Sequence, residues 1–587
     1  MIQSIAVTRV RHVTAQPRGL PRTYVETKPV HPSNRRRRLL SRGLPALAGL
    51  AALAVLVVAL LSSLGDSEAE RTAERFSRAW ERGDYTAMHA LLTDDAKAAH
   101  PLGPFRRSYD QARRTATATA FAAGKPREDG GGARVAMTVR TVAFGTVRRP
   151  LALPIEDGRV KWAPHLTFPG VPPGARLERR TRAPRRARIL ARGGRPIVTG
   201  PADSRNSPLG PAGGEIAGTV APAKTRSERE QVVARGFPPE APVGTSGLER
   251  ILERRVAGTP GGTLTAGAVT LADTAPRRAR AVRTTIDVDA QRAAAASLAG
   301  RLGGVAALEP RTGEVRALAG IAFSAPQPPG SVFKLITAGA ALEARLVRPS
   351  SRFPVRTEAL IDGFPLQNAN GESCGGTFVN SFAHSCNSVF APLGIRVGAR
   401  RLVRMAQRFG FNEPPALPGA QPSTIPPAAE IGSRLALGAT AIGQGKVLAT
   451  PLQLASMAQT IAAGGIRHRP TLLPVSRPEG QRVLSARVAR QMRRLMVAVV
   501  RFGTGTSAAI PGVTVAGKTG TAELEQTVGK PPAEEGEPAT ADTDAWFTAF
   551  APARRPKLAV AVLLVRAGAG GDTAAPAARI VLESSVR

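Results

Sequence analysis

Strand-like segments stand at both ends of residues 281–587, and the long middle of that range reads as helical. The strand candidates are 304–308, 314–318, 545–550 and 558–565. The first two are joined by Pro310-Arg-Thr-Gly313, a good hairpin turn. If strands from both ends of one segment pair in a single sheet, the residues between them belong to the same domain. We therefore expect one large α/β domain, with a sheet flanked by helices.

An uncharged apolar run extends from Leu44 to Leu64. About 20 such residues cross a bilayer as a helix. Arginines at 35–38 precede the run and acidic residues follow it, so residues 1–43 should form a cytoplasmic basic tail and the remainder should lie outside. A cleaved signal peptide is the alternative. It is disfavoured because the apolar core is long and ends in Leu-Ser-Ser-Leu-Gly, without an Ala-x-Ala site.

Two regions separate this predicted anchor from the α/β domain. Residues 66–169 begin with two helical stretches and continue as strands, which predicts a small α+β domain whose Trp80 and Tyr85 belong to the core. Residues 170–280 are rich in Pro, Gly and Arg with only short strand candidates. They predict an extended linker domain rather than a compact core.

The net charge of +38 first suggests nucleic acid as a partner. Aromatic residues make up only 4% of the chain, so base-stacking platforms would be scarce, and the arginines are spread along the whole sequence. We therefore expect no nucleic-acid binding, and favour attraction to an anionic membrane or polymer. No metal motif or phosphate-binding loop is present, so we expect no metal and no cofactor.

Ser331 and Lys334 lie three positions apart after a Pro-Pro-Gly break. On a helix such residues share a face, and an amine with a depressed pKa can take the proton of a serine hydroxyl. Two further motifs follow in the order Ser385-Cys386-Asn387 and Lys518-Thr519-Gly520-Thr521. Each motif is weak alone, and a second Ser-x-Asn occurs at 204–206.

Together, the order and context of these motifs resemble the class B penicillin-binding proteins of the serine penicillin-recognising superfamily. The resemblance covers residues 281–587 and includes Thr285-Ile-Asp287 and Leu308-Glu-Pro-Arg-Thr-Gly313. It implies a penicillin-binding transpeptidase or serine β-lactamase-like fold, with an all-helical subdomain. The anchor at 44–64, an NTF2-like domain at 66–169 and a linker or dimerisation-type domain at 170–280 match one subgroup of that family.

The resemblance also implies the role of each motif residue. Ser331 is the nucleophile, Lys334 its base and Ser385 a proton relay to the leaving amine. Asn387 binds Lys334 and the substrate amide. Lys518, Thr519 and Thr521, with the close backbone approach that Gly520 allows, hold the substrate carboxylate. The backbone N–H groups of Ser331 and Thr521 form the oxyanion hole.

The activity implied is that of a peptidoglycan D,D-transpeptidase which acts on stem peptides of lipid-linked precursors and binds β-lactams. It would be a single-pass cell-membrane protein with an extracytoplasmic catalytic domain and a partner glycosyltransferase. A serine β-lactamase or D,D-carboxypeptidase-type hydrolase, and a non-catalytic β-lactam sensor or scaffold, are the alternatives.

Cys374 and Cys386 are the two cysteines of the chain. Both lie on the predicted exported side, where a disulfide can persist. A bridge between them and a pair of reduced thiols are both open from the sequence.

Overall fold

The structure, a computed structural model, describes residues 66–523 and 543–586. The predicted basic tail at 1–43 and anchor at 44–64 fall outside these residues. Within the two described ranges, no helix is both long and apolar enough to cross a bilayer.

The first described region packs four helices on an antiparallel sheet. The helices are Glu68–Arg82, Tyr85–Ala90, Asp94–Ala99 and Leu102–Thr115, and the strands are Ala118–Ala123, Arg127–Glu128, Gly132–Thr141, Thr146–Glu156 and Arg159–Val160. Trp80 is buried in the core, and Tyr85 packs against it. The Trp162 indole donates to the Tyr109 hydroxyl over 2.9 Å. The arrangement is α+β, and its likeness to NTF2-like domains stays a prediction.

The linker forms short elements that pack on both of its neighbours. Its strands are Leu177–Arg182, Ile189–Leu190, Pro196–Val198, Val220–Pro222, Pro242–Gly244, Gly261–Ala266 and Val269–Thr274, and its helices are Pro211–Ala217, Arg226–Ala234, Gly247–Ile251 and Glu253–Val256. Leu264 and Leu271 share a core with Phe144 of the first region. Ile189 and Leu248 instead join the large core of the C-terminal domain. The linker thus contributes to two neighbouring cores, and it has a small buried cluster of its own, which comprises Ala223, Val232, Phe237, Ala241 and Ala257.

A buried cluster of charges holds the linker together. The Glu249 carboxylate accepts from Arg186 at 2.6 and 3.0 Å and from the Arg205 Nε at 2.7 Å. Arg186 also reaches Glu253 over 2.8 Å. The Arg186, Arg205 and Glu249 side chains are at most 4% exposed. Because buried charges are costly without partners, each member depends on the others.

The C-terminal domain is built on a five-stranded antiparallel sheet. Its strands are β1 (Gly303–Leu308), β2 (Val315–Gly320), β3 (Ala516–Glu523), β4 (Thr543–Ala551) and β5 (Leu558–Leu564). They lie in the order β2-β1-β5-β4-β3. Strands from both ends of the domain are therefore adjacent, as the sequence predicts, and β3 is an edge strand.

Nine helices of the described residues belong to this domain. They are α1 (Val288–Leu298), α2 (Lys334–Glu343), α3 (Phe378–Ala383), α4 (Asn387–Val397), α5 (Ala399–Arg408), α6 (Arg434–Ala441), α7 (Pro451–Ala462), α8 (Ala486–Phe502) and α9 (Ala574–Val586). The small hairpin strands of this region are Arg352–Arg356 with Cys374–Thr377, Glu358–Ile361 with Phe364–Gln367, and Ile466–His468 with Gly480–Arg482. Val282–Arg283 joins the linker strand Ile189–Leu190 in parallel.

Side-chain alternation along β5 shows how the layers form. Val560 and Val562 face the core that contains α1 and α9, whereas Ala561 and Leu563 face the core that contains α2, α7 and α8. Successive strand residues point to opposite faces. All seven residues of β5 are buried, so the strand reads as an unbroken apolar run even though the sheet is antiparallel.

The charge cluster of the linker yields a stability prediction. We expect Glu249→Gln to lower the free energy of local unfolding by about 3–5 kcal/mol, because it leaves the buried Arg205 guanidinium without a counter-charge and leaves Arg186 with Glu253 as its remaining carboxylate partner. Native-state hydrogen exchange of the amides in Gly247–Ile251 measures this local free energy.

Glu230→Gln is the matched control. It removes the partner of Arg226 in an exposed linker ion pair, and we expect little change in the same exchange rates. Equal protection in the Glu249→Gln variant and the wild type would show that the cluster does not hold the linker.

Candidate active site

Ser331 lies on a tight helical turn, Gly330–Phe333, that runs directly into α2. The turn packs against edge strand β3. A Cβ atom on Gly330 would lie 2.3 Å from the Thr521 carbonyl oxygen, and its φ of +50° is also one that glycine tolerates best. Only glycine therefore lets the turn approach β3 so closely. The half-buried Ser331 is placed beside the Lys518-Thr519-Gly520-Thr521 segment.

The Lys334 amine faces the second motif. Its Nζ lies 2.6 Å from the Ser385 carbonyl oxygen, 2.6 Å from the Asn387 Oδ1 and 3.1 Å from the Ser385 Oγ. No hydrogen bond within the described residues joins it to the Ser331 hydroxyl. The Ser385 carbonyl oxygen and the Asn387 Oδ1 can only accept hydrogen bonds, so each takes one N–H of the amine. A neutral amine then has its lone pair left for the Ser385 hydroxyl.

Lys518 approaches the same hydroxyl from β3. Its Nζ lies 2.9 Å from the Ser385 Oγ and 3.0 Å from the Thr519 carbonyl oxygen. The Ser385 hydroxyl thus lies between the two amines, and each is within hydrogen-bonding distance. When charged Lys518 donates to the Ser385 Oγ, the hydroxyl proton is free to point at the lone pair of Lys334.

Both lysine side chains are fully buried. Among the described residues, the polar neighbours of the two amines are oxygens of Ser385, Asn387 and Thr519, none of them a carboxylate oxygen. Burial, and then the positive charge of Lys518, holds the pKa of Lys334 well below its usual range. Burial alone lowers the pKa of Lys518 to about 7. The aromatic rings of Phe390 and Phe382 each lie 5.7 Å from one of the amines, and supply weak cation–π contacts in place of a counter-ion.

Ser385 has a left-handed backbone, with φ of +58°. Such a conformation is uncommon for a residue other than glycine, and persists where surrounding contacts hold it. The N–H of Ser385 donates to the Phe382 carbonyl, and the N–H of Cys386 donates to the Ser381 carbonyl. The Ser385 carbonyl accepts a hydrogen bond from Lys334. A disulfide joins Cys386 to Cys374, with 5.5 Å between their Cα atoms.

Asn387 begins α4, and its side-chain amide bridges two elements. Its Oδ1 accepts from Lys334, while its Nδ2 donates to the Gln367 carbonyl over 2.7 Å. Since Gln367 ends the strand Phe364–Gln367, a neighbouring hairpin fixes which way the Asn387 amide points. One Nδ2 proton remains for another acceptor.

The third motif occupies the edge strand. The Thr519 Oγ1 lies 2.6 Å from the Thr504 Oγ1. Thr504, just beyond the end of α8, also donates its backbone N–H to the Ala383 carbonyl, two residues before Ser385. Gly520 lies under the Ser331 turn, where a Cβ would meet the Pro329 carbonyl oxygen at 2.8 Å. Half-buried Thr521 follows.

The structure therefore brings together all eight motif residues that the sequence selected. Sequence reasoning missed Thr504 and Gln367, since neither belongs to a motif and both reach the site through tertiary contacts. Phe382 and Phe390 likewise belong to none of the three motifs. In the described part of the chain, no three metal-ligating side chains are grouped.

Comparison with known proteins agrees with this geometry. Residues 303–583 match the family model for the penicillin binding protein transpeptidase domain. The peptidoglycan D,D-transpeptidase PbpA of Mycobacterium tuberculosis is 38% identical over 290 residues, covering 45% of this chain and 56% of that protein. PbpA of Mycolicibacterium smegmatis is 39% identical over 292 residues with the same coverage. This chain thus spans about half the length of the curated relatives it matches.

A solved structure shows the same architecture. The penicillin G acyl-enzyme complex of penicillin-binding protein A from M. tuberculosis superposes with a TM-score of 0.53 at 30% identity. The match covers 69% of this chain and 100% of that one. The predicted transpeptidase fold is confirmed by these likenesses. This chain belongs to the penicillin-binding protein transpeptidase family.

Proposed function

We propose that this chain is a peptidoglycan D,D-transpeptidase that cross-links stem peptides through an acyl-enzyme on Ser331. The observation that carries the proposal is the array Lys334–Ser385–Lys518. Two buried amines share one hydroxyl, and neither has a carboxylate partner in the described residues. Such an arrangement favours one neutral and one charged lysine. A structural role alone would not require it.

The acylation step uses that difference in charge. The Ser331 Oγ attacks the carbonyl carbon of the penultimate D-Ala, and its proton passes to Lys334, whose lone pair turns from the Ser385 hydroxyl to the Ser331 hydroxyl for this step. The tetrahedral intermediate then breaks its C–N bond. The proton moves from Lys334 through the Ser385 hydroxyl, which can both accept and donate, to the departing D-Ala amine.

Stabilisation of the oxyanion is assigned to the backbone N–H groups of Ser331 and Thr521. The Thr521 carbonyl points at Gly330, away from β4. In a strand the N–H and C=O of one residue point to the same side, so the Thr521 N–H also faces the turn that carries Ser331. Lys518, Thr519 and Thr521 line the adjacent edge, where they can bind the terminal carboxylate.

The relatives support the chemistry without fixing the acceptor. Proteins 38–39% identical to this chain over the matched region are named D,D-transpeptidases, and the similar M. tuberculosis protein forms an acyl-enzyme with penicillin G. We infer that a β-lactam acylates Ser331 and that an amine of a neighbouring stem peptide takes the acyl group. A β-lactamase or D,D-carboxypeptidase-type hydrolase would use water instead.

The predicted cellular setting belongs to the same proposal. Residues 44–64 would anchor the chain in the cell membrane with residues 1–43 in the cytoplasm, followed by an NTF2-like domain at 66–169, a linker domain at 170–280 and an extracytoplasmic transpeptidase domain at 281–587. The chain lacks a glycosyltransferase-sized region between anchor and linker. A partner glycosyltransferase would then supply the glycan strands.

Labelling with a fluorescent penicillin tests the nucleophile. We expect a covalent adduct on the peptide that contains Ser331, found by mass spectrometry, and none in Ser331→Ala. Because the amine of a stem peptide, not water, is the proposed acceptor, the adduct should persist for minutes or longer.

An adduct on another residue would contradict the site, and release within seconds would favour the hydrolase. Full rescue of a deletion strain by Ser331→Ala would favour the scaffold.

The rate of acylation should depend on pH through both lysines. It rises with pH as Lys334, with its lowered pKa, loses its proton and becomes a base. It falls as pH passes about 7, because Lys518, with a pKa of about 7, loses the charge that attracts a substrate carboxylate. We expect a bell-shaped profile of the second-order acylation constant, which reports the free enzyme.

Lys518→Arg should remove the alkaline limb of that profile, since an arginine keeps its charge to a pH above about 12. Lys557→Arg, at an exposed lysine, is the control and should keep the limb. An unchanged alkaline limb in Lys518→Arg would assign it to another group.

A further inference from the structure

We propose that Asn368 is a positioning residue for the second motif, and that it aligns Asn387 and thereby the amine of Lys334. The proposal deepens the transpeptidase assignment and rests on it. Asn368 lies just after the strand Phe364–Gln367, is 5% exposed, and belongs to none of the three motifs.

Both the donor and the acceptor atoms of the Asn368 side-chain amide form hydrogen bonds. Its Nδ2 donates to the Arg356 carbonyl over 2.7 Å and to the Glu372 carbonyl over 2.8 Å. Its Oδ1 accepts from the backbone N–H of Ser388 over 2.8 Å. A hydrophobic side chain at this place would leave the buried N–H of Ser388 unpaired, which is costly, and an acidic one would set a carboxylate oxygen against two carbonyl oxygens. The position thus demands both the donors and the acceptor of an amide.

Ser388 is the second residue of α4, so its N–H is one of the donors that a helix cannot satisfy internally. The residue before α4, Cys386, makes no side-chain cap bond. Asn368, from a distant part of the sequence, therefore supplies the capping oxygen. The start of α4 is set by the loop that Asn368 organises.

Further contacts tie the same two segments together. The Gln367 carbonyl accepts from Asn387 Nδ2, the Ser388 hydroxyl donates to the Cys374 carbonyl over 3.4 Å, and Cys374 is bridged to Cys386. Asn368 is the centre of this clamp because its bonds also hold Arg356 and Glu372. A shift of the loop would carry the Gln367 carbonyl with it.

The consequence reaches Lys334 through one amide. With its Nδ2 on Gln367, Asn387 presents Oδ1 to Lys334 at 2.6 Å. If the Gln367 carbonyl moves, the Asn387 amide can turn. The Lys334 amine then loses the acceptor that fixes the direction of its lone pair. Small misplacements of a catalytic group cost about 100-fold in rate. Asn368 acts only through Asn387 and does not touch the reacting atoms.

The test is Asn368→Asp, which preserves size and the acceptor for Ser388 but places a carboxylate oxygen against the Arg356 and Glu372 carbonyls. We expect the first-order acylation constant for a fluorescent penicillin to fall about 10- to 100-fold. The dissociation constant of the preceding non-covalent complex should change little. Asn370→Asp is the matched control. Asn370 lies two residues on, is exposed, and its side chain makes no hydrogen bond to the described residues.

A double-mutant cycle separates positioning from general damage. In an Asn387→Ala background, Asn368→Asp should cost less than about twofold, because the residue through which it acts is gone. An equal loss in both backgrounds would overturn the proposal, as would wild-type acylation by the single variant. If Asn368→Asp does not fold, Asn368→Ser is used in the same cycle. Absence of any Ser331 adduct in the wild type would refute the transpeptidase assignment instead.

Discussion

The structure of the site depends on two lysines that share one serine hydroxyl away from water. A charged amine inside a protein is costly without a counter-ion, and two such charges close together cost more. Within the described residues, the site offers Lys334 and Lys518 only oxygens and aromatic faces. The array therefore favours one neutral and one protonated amine. Two residues of the same type then supply both a base and a cation.

Three separate pieces of the chain must meet to build this array. Lys334 begins a helix behind the nucleophile turn, Ser385 lies in a left-handed connection between α3 and α4, and Lys518 comes from edge strand β3. Glycine at 330 lets the turn and strand touch. The edge position of β3 also leaves its outer backbone groups unpaired by a neighbouring strand, so they can serve a substrate. The clamp around Asn368 sets the remaining side of the site.

Much of this was predictable from the sequence. The apolar runs at 545–550 and 558–565 predict strands, and the order of the three motifs indicates the family. Local pattern did not reveal Thr504, Gln367 or Asn368, because each acts through a backbone group distant in sequence. The sequence pattern of the linker also does not indicate how its segments pack. A small hydrophobic cluster and the buried Arg186–Glu249–Arg205 cluster both stabilise it, and the members of the second are charged residues that sequence alone assigns to the surface.

The ionisation of the two lysines is the most direct test of this account. Lysine is rare in this arginine-rich chain, so selective labelling of the lysine side-chain carbon next to Nζ gives few NMR signals, assignable through Lys334→Arg and Lys518→Arg. The account predicts that the Lys518 signal titrates near pH 7 and that the pKa of Lys334 lies well below the usual range of a lysine, because burial and the charge of Lys518 both lower it. Titration of both signals near pH 10 would contradict it.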